Sequence, residues 1–171
     1  MLEGDITGAM RERAAMIADE RRSESRRDGR AARSHSGGVS GSFDELGALG
    51  EVVAEVAFGL SYNGAAPPGR SGKAVPDVGP LEVQTSGPNL RLIVRPSDGI
   101  ECLQRPYVHV IVDGDRWRIP GWIFGTQAEE LGVWDNPGGG KPALFVSDSA
   151  LGSFANVAFW CALADFRIHG D

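Results

Sequence analysis

The sequence predicts a small α/β or α+β domain with a mostly antiparallel sheet. Three observations carry that expectation. Apolar residues recur with a helical period between Phe43 and Leu60. From Leu81 to Ser147 the period changes to two, in runs rich in Val, Ile and aromatic residues. A second helical run, "SALGSFANVAFWCALADF", closes the pattern.

Taken in order, residues 5 to 33 read as a helix, with Ala, Met and Ile spaced among Arg and Glu and no Pro between them. Met10, Ala14, Ile17 and Ala18 give a narrow stripe that fades after Ala18, and Ser23, Ser25 and Gly29 suit a helix interior poorly. "SHSGGVSGS", residues 34 to 42, has the composition of a flexible linker. Residues 1 to 42 are therefore expected to form an Arg-rich helical or partly disordered arm and linker, and residues 43 to 171 the compact domain.

The domain opens with "SFDELGALGEVVAEVAFGL", where Ser42 suits an N-cap and Glu45 its capping-box partner. Leu46, Leu49, Val53, Ala57 and Leu60 share one face, flanked by Val52 and Val56, while Glu51 and Glu55 lie opposite. "NGAAPPGRSGK" is a loop. "LEVQT", "LRLIV", "YVHVIVDGDRWRIPGWIFG" and "ALFVS" are strand candidates. Asp113-Gly114 signals a tight hairpin, and Pro120 restricts its strand to an edge or marks a bend. "GTQAEEL" reads as a short helix or turn, and "NPGGGK" as a loop without the surroundings of a P-loop. In the last helix, Leu151, Phe154, Ala158 and either Cys161 or Leu163 are expected inward.

The chain has 171 residues, 42% of them hydrophobic, and a formal net charge of −6. That charge does not suit a protein that coats nucleic acid. No apolar run reaches the roughly 18 residues of a membrane span. The first residues, "MLEGDITGAMRERAAM", carry acids and no apolar core, unlike a secretory signal. Cys102 and Cys161 are far apart, which suits reduced thiols in the cytoplasm. His35, His109 and His169 do not cluster with them as a zinc site would. The charge is uneven: "RRSESRRDGRAAR", residues 21 to 33, holds six Arg against Glu24 and Asp28. Arg21, Arg22, Arg26 and Arg27 could track backbone phosphate. The acidic remainder would need metal ions or a basic partner to approach phosphate.

The densest polar constellation is "PDVGPLEVQTS", residues 76 to 86. Residues two apart on a strand share a face, so Glu82 and Gln84 project together, away from Leu81, Val83 and Thr85. A bend at Gly79-Pro80 can fold Asp77 back beside Glu82. Two converging carboxylates suit a hard cation such as Mg²⁺. The same pattern also suits an ordinary solvated sheet face.

Pro76-Asp77 followed by Glu82-Val83-Gln84, placed after a helix and before further strands, resembles the signature of the PD-(D/E)XK nuclease superfamily. The likeness extends over "GEVVAEVAFGL", "LIVRPSD", "YVHVIVDG" and "GWIFGTQA", across roughly residues 43 to 147, and is nearest to a bacterial and phage group. The resemblance implies a restriction-endonuclease-like core, a mixed central sheet flanked by helices, here preceded by the N-terminal helical arm. It implies a metal-dependent DNA endonuclease using Mg²⁺, or Mn²⁺ in its stead, held by Asp77, Glu82 and the carbonyl of Val83. It also implies an acidic residue from the first helix. Glu51 is preferred to Glu55 there because Phe58 lies within about 20° of Glu51 on the wheel. Gln84 occupies the position of the motif lysine and cannot supply its charge. Lys73 or Arg91 could supply it instead. The alternative is a catalytically inactive nuclease-fold module that binds DNA or a protein partner. The arm would then serve DNA, a second copy of the chain or another protein.

Overall fold

A computed structural model describes residues 1–27, 40–63, 75–95, 100–136, 142–156 and 159–160. In chain order the elements are β1 (Leu2–Asp5), α1 (Gly8–Arg27), α2 (Ser40–Phe58), β2 (Glu82–Ser86), β3 (Leu92–Val94), α3 (Ile100–Leu103), β4 (Pro106–Asp113), β5 (Arg116–Ile119), β6 (Trp122–Phe124), α4 (Gly125–Leu131), β7 (Val133–Asp135) and β8 (Ala143–Val146). A 3-10 turn follows at Asp148–Ala150. The fold is mixed α+β, with α1 and α2 on one face of a mixed sheet and α3 and α4 in a second core.

The first element is a strand ahead of the expected helix, overlapping it at Asp5. β1 pairs antiparallel with β5, Leu2 opposite Ile119 and Asp5 opposite Arg116. The helix starts only after Thr7, whose Oγ1 accepts the Met10 N–H at 3.2 Å as an N-cap. Met10, Ala14, Ile17 and Ala18 are buried in the main core together with residues of α2 and the sheet. The boundary expected at residue 42 therefore does not divide an arm from a body. Residues 1–27 supply a sheet strand and a core helix, and residues 28–39 lie outside the described residues.

α2 begins at Ser40, two residues before the expected cap at Ser42. Ala48, Val52, Val53 and Ala54 are all fully or almost fully buried, because the sheet lies under the helix and α1 over it. Val56, expected beside the apolar stripe, is exposed.

The central sheet runs β1-β5-β4-β2, and β6 also pairs with β4. Among the described residues β2–β4 is the one parallel pair, from Glu82 opposite Tyr107 to Ser86 opposite Ile111. A parallel pair needs a long crossover, here supplied by the segment containing β3 and α3. β4 turns into β5 through Gly114, whose φ of +60° glycine adopts without strain. Between β5 and β6 the ladder slips by one residue. His109 and Val110 stand opposite Ile119, Pro120 and Gly121, a bulge that places Pro120 where no ladder donor is needed.

Alternate residues of β4 serve two cores. Val108 and Val110 pack under the helices. Tyr107 packs with Leu92, Val94, Leu144 and Val146 from a second, antiparallel sheet ordered β3-β8-β7. β7 and α3 had no clear sequence signal. The closing helix does not begin at Ser149: the chain makes the 3-10 turn and then bridges Gly152 to Trp122. Phe154 and Phe159 are buried beside Phe58, with ring centroids 5.4 and 5.3 Å from it. Cys102 is buried and free, and Cys161 lies outside the described residues. Among the described residues no helix is long and apolar enough to cross a membrane.

The closest helix-to-sheet approach is α2 on β2. A β-carbon on Gly50 would lie 1.8 Å from Thr85 Oγ1 and 2.7 Å from its Cβ, so only glycine lets the two elements meet. Gly50→Ala is expected to destabilise the fold by about 1–3 kcal/mol through overpacking. Gly50→Ala/Thr85→Ala should recover part of the loss. Denaturant unfolding of the two variants beside wild type checks this, and an unperturbed Gly50→Ala would mean that α2 is not seated there.

Candidate functional site

The site is built around the turn between Val78 and Leu81. Gly79, with φ +51°, takes the first of its two central positions and Pro80 the second. The segment after α2 holds this turn. The Asn63 side chain donates to the carbonyls of Pro76 and Gly79 at 2.8 and 2.7 Å, and the Gly79 N–H donates to the Ser61 carbonyl at 3.0 Å. The Asp77 N–H donates to the Leu81 carbonyl at 2.9 Å, and Asp77 Oδ2 accepts the Val83 N–H at 2.8 Å. Asp77 is thus folded back against the start of β2, as the bend predicts.

Along β2, Leu81 and Val83 pack into the helix-side core and Thr85 meets α2. Glu82, Gln84 and Ser86 occupy the other face, opposite Tyr107, His109 and Ile111. Glu82 is ion-paired with Arg105, both side chains being more than four-fifths buried. Gln84 Nε2 makes a long hydrogen bond, 3.5 Å, to the Thr85 carbonyl.

α2 brings Glu51 to the same region. The Glu51 carboxylate is 5% exposed and accepts from Arg21 of α1 at 2.5 Å. Arg21 also donates to the Tyr62 hydroxyl at 3.1 Å, with its guanidinium 5.4 Å from the centre of that ring. Burial pushes the Glu51 carboxyl up to about 7. Arg21 opposes that rise, and the negative charges of Asp77 and Glu55 add to it. Burial also raises Asp77, against the Val83 N–H and the fields of Arg21 and Arg105. The electrostatics therefore join the three acids into one group: Arg21 on Glu51, Asp77 between the two arginines, and Arg105 on Glu82. Glu55 lies at the far side of Glu51, pinned by Arg13 at 2.8 and 3.0 Å and by the Tyr62 N–H. The face of α2 that carries the two glutamates is covered by α1, not solvated.

The cations expected to meet nucleic acid are distributed differently. Arg21 is turned inward onto Glu51, which removes it from any phosphate-tracking row. Arg22 pairs with Asp19 at 2.5 Å and Glu45 at 3.6 Å. Arg26 is exposed, with its Nε on the Arg22 carbonyl at 3.2 Å. The Arg27 side chain and Lys73 lie outside the described residues. Arg91 sits on the second sheet, 3.4 Å from Asp135 and over the Phe145 ring. Sequence reading missed Arg105 and the inward role of Arg21, since an ion pair 23 or 30 residues apart leaves no periodic mark.

A second polar chain crosses the far side of the sheet. Ser86 Oγ lies 2.8 Å from His109 Nε2, His109 Nδ1 lies 3.3 Å from Asp148 Oδ1, and Arg118 donates to Asp148 Oδ2 at 3.2 Å. The order is that of an acyl-transfer triad, but His109 has no exposed surface and Ser86 only 7%. Burial holds the imidazole below its ordinary pKa despite Asp148. His109 ties β2 and β4 to the 3-10 turn.

Oxygen donors dominate the first group, and Asp77, Glu82 and the Val83 carbonyl have the hard-ligand chemistry of Mg²⁺, which takes one or two carboxylates and keeps several waters. Among the described residues no set of three or more His, Cys, Asp or Glu side chains stands arranged for a metal. Glu51 and Glu82 each lie on an arginine instead. Comparisons with protein-family models, with curated proteins and with solved structures found no match.

The raised carboxyl of Glu51 gives a pH signature. A glutamate that titrates near 7 when folded and near 4.5 when unfolded favours the fold while protonated. That contribution is full below about 4.5 and is lost as pH rises to about 7. The stability of wild type minus that of Glu51→Gln should therefore fall across this window. A difference that stays flat from pH 4.5 to 8 would show that Glu51 is not held in a buried, acid-rich setting.

Proposed function

We propose that the protein is a metal-dependent DNA endonuclease with a restriction-endonuclease-like core, working in the cytoplasm. The observation that supports this reading is the seating of Asp77 on the Val83 N–H at the outer edge of β2, with its charge acting on Glu51. β2 is the end strand of the central sheet among the described residues. In an extended strand the N–H and C=O of one residue point to the same edge. Since the Val83 N–H meets Asp77, the Val83 carbonyl faces that edge too. Asp77 and the Val83 carbonyl thus share that edge, and Glu82 is the residue next to Val83 on the strand.

Asp77, Glu82 and the Val83 carbonyl would hold Mg²⁺. A bound Mg²⁺ supplies Lewis-acid polarisation of a phosphate oxygen and lowers the pKa of a coordinated water. The chain's own residues do the rest. Glu51, buried and held by Arg21, would act through its charge on Asp77 rather than by meeting the water. Gln84, on the face it shares with Glu82, orients that water or a phosphate oxygen through its amide. The new bond would be from water oxygen to phosphorus, the bond from phosphorus to the leaving oxygen would break, and the proton lost by the water would be returned to that leaving oxygen through solvent. Exposed Arg26 adds sequence-independent attraction to the backbone.

The second reading, a non-catalytic nuclease-fold module, is favoured by the arginines. Glu51 and Glu82 are each paired with an arginine, Arg21 and Arg105. Titration with Mg²⁺ and Mn²⁺ by calorimetry, beside a plasmid nicking assay, separates the two. The nuclease reading expects metal-dependent nicking that Asp77→Ala and Glu82→Ala each reduce by more than about 100-fold with the fold intact, since even outer-shell partners of a metal cost 10–100-fold. Absence of metal-dependent cleavage of single- and double-stranded DNA, in wild type and in Gln84→Lys alike, would leave the binding module.

A further inference from the structure

The second sheet turns one face to its core and the other outward. Leu92, Val94, Leu144 and Val146 fill the core side. On the outward side Ile93 stands opposite Phe145, and Phe145 opposite Val133, so one apolar row crosses all three strands. Arg91 and Arg95 flank Ile93 on that side, since exposure alternates from Arg91 to Arg95 while Leu92 and Val94 are buried. We propose that this face binds single-stranded nucleic acid, with one base stacked on the Arg91 guanidinium and Arg95 on a neighbouring phosphate. Such binding needs neither a metal ion nor a cut in the strand, and it stands whether or not the chain cleaves DNA.

Three observations select this occupant. The first is the stack. The Arg91 guanidinium carbon lies over the Phe145 ring, 4.9 Å from its centre. Cation–π attraction holds the group against the ring. Its Nη2 reaches Asp135 of β7 at 3.4 Å, and the side chain keeps 45% of its exposure. The fork of the guanidinium is thus directed at Asp135, and the open feature is its plane. A carboxylate or phosphate is recognised by the fork. A base brings a π-face of its own and is recognised by the plane. Arg91 keeps both of its present contacts when a base is laid on it.

The second is charge. The chain carries −6 as a whole, yet this face sets two arginines, Arg91 and Arg95, against one acid, Asp135. Arg95 is exposed, and no acid among the described residues pairs with it. Along an extended strand it lies about 13 Å beyond Arg91. A strand whose base rests on Arg91 carries its phosphates past that position.

The third is size. Three strands about 4.8 Å apart, each of three residues, give a platform about 10 Å across and about 10 Å long. That suits one base and its flanking phosphates. It is far below the roughly 800 Å² per partner of a stable protein interface. A paired base has its faces covered within the stack, so the platform selects unpaired strands. Trp134 is also aromatic and exposed, but it stands opposite Leu144, on the alternation of the core-facing residues. It lies outside the platform and serves as a control.

The test is binding without cleavage, on the full chain in EDTA. A labelled single strand of about 12 thymidine nucleotides, within the usual site range, is titrated with protein at several salt concentrations and read by fluorescence anisotropy. An abasic strand and a duplex of the same length are run beside it. Wild type should bind the thymidine strand at least about 5-fold more tightly than the abasic strand, the worth of one stacked base, and more tightly than the duplex. Arg91→Ala and Arg91→Lys should both weaken binding by about 5–100-fold, because lysine returns the charge but not the plane. Arg95→Ala should lower the slope of log K against log salt by about 0.7, and Arg95→Lys should keep it. Trp134→Ala should change neither affinity nor slope. All three positions are exposed, so the fold should survive, and circular dichroism checks that it does. An abasic strand bound as tightly as the thymidine strand, or an Arg91→Lys variant equal to wild type, would overturn the stack. A loss in Trp134→Ala as large as that in Arg91→Ala would place the contact at the sheet edge and overturn it as well. Absence of single-strand binding by wild type would overturn the proposal outright. Nicking is scored separately with metal ions present, so failure of the nuclease reading leaves this result untouched.

Discussion

The contact on which the rest depends is the one between Thr85 of β2 and Gly50 of α2. Thr85 Oγ1 occupies the space where a side chain on residue 50 would begin. The helix can therefore lie directly on the end strand of the sheet, and the next residue, Glu51, comes down near the start of β2. α1 closes over α2 because its Met10, Ala14 and Ile17 stripe has nowhere else to bury. Arg21 then reaches Glu51 from above. One small residue thus determines which acids become neighbours.

That neighbourhood has an electrostatic cost, and the fold meets it with arginines. The charges of Asp77 and Glu55 bear on Glu51, which is nearly without solvent. Arg21 and Arg105 approach from opposite sides of the sheet and leave Asp77 between their fields. Asp77 is further steadied by a backbone donor, the Val83 N–H. Burial still wins at Glu51, whose carboxyl rises to about 7 despite an ion pair at 2.5 Å. Arg105 holds Glu82 in the same way, with both side chains mostly buried.

Much of the fold was legible in the sequence. The two-residue period located β2, β3, β4, β5, β6 and β8, the Asp113-Gly114 signal located the hairpin, and "GTQAEEL" is α4. The Met10 to Ala18 stripe marked a buried helix face. β1 was hidden because "LEGD" has neither β-branched residues nor a clean alternation, and it is held by pairing to β5 across more than a hundred positions. β7 was hidden because all three of its residues are exposed, so no buried face imposed a pattern. At the site, Asp77, Glu82 and Gln84 were legible because a turn and a strand period are local. The inward use of Arg21 was not, since a basic run reads the same whether its members face solvent or a buried acid.

The Ser86–His109–Asp148 chain shows why constellation alone does not decide chemistry. Its atoms stand in the right order, but a general base must reach a leaving group, and His109 is sealed between two cores. Its place at the bulge gives the better account. There the antiparallel ladder of β4 is interrupted opposite Ile119 to Gly121, while on the other side His109 stays in register with Gln84. Contacts at both ring nitrogens, with Ser86 of β2 and with Asp148 after β8, join three segments there. Ser86 is two residues beyond Gln84 on the same face. A pin at Ser86 therefore fixes the far end of the strand whose near end, from Glu82 to Gln84, carries the acids and amide of the site.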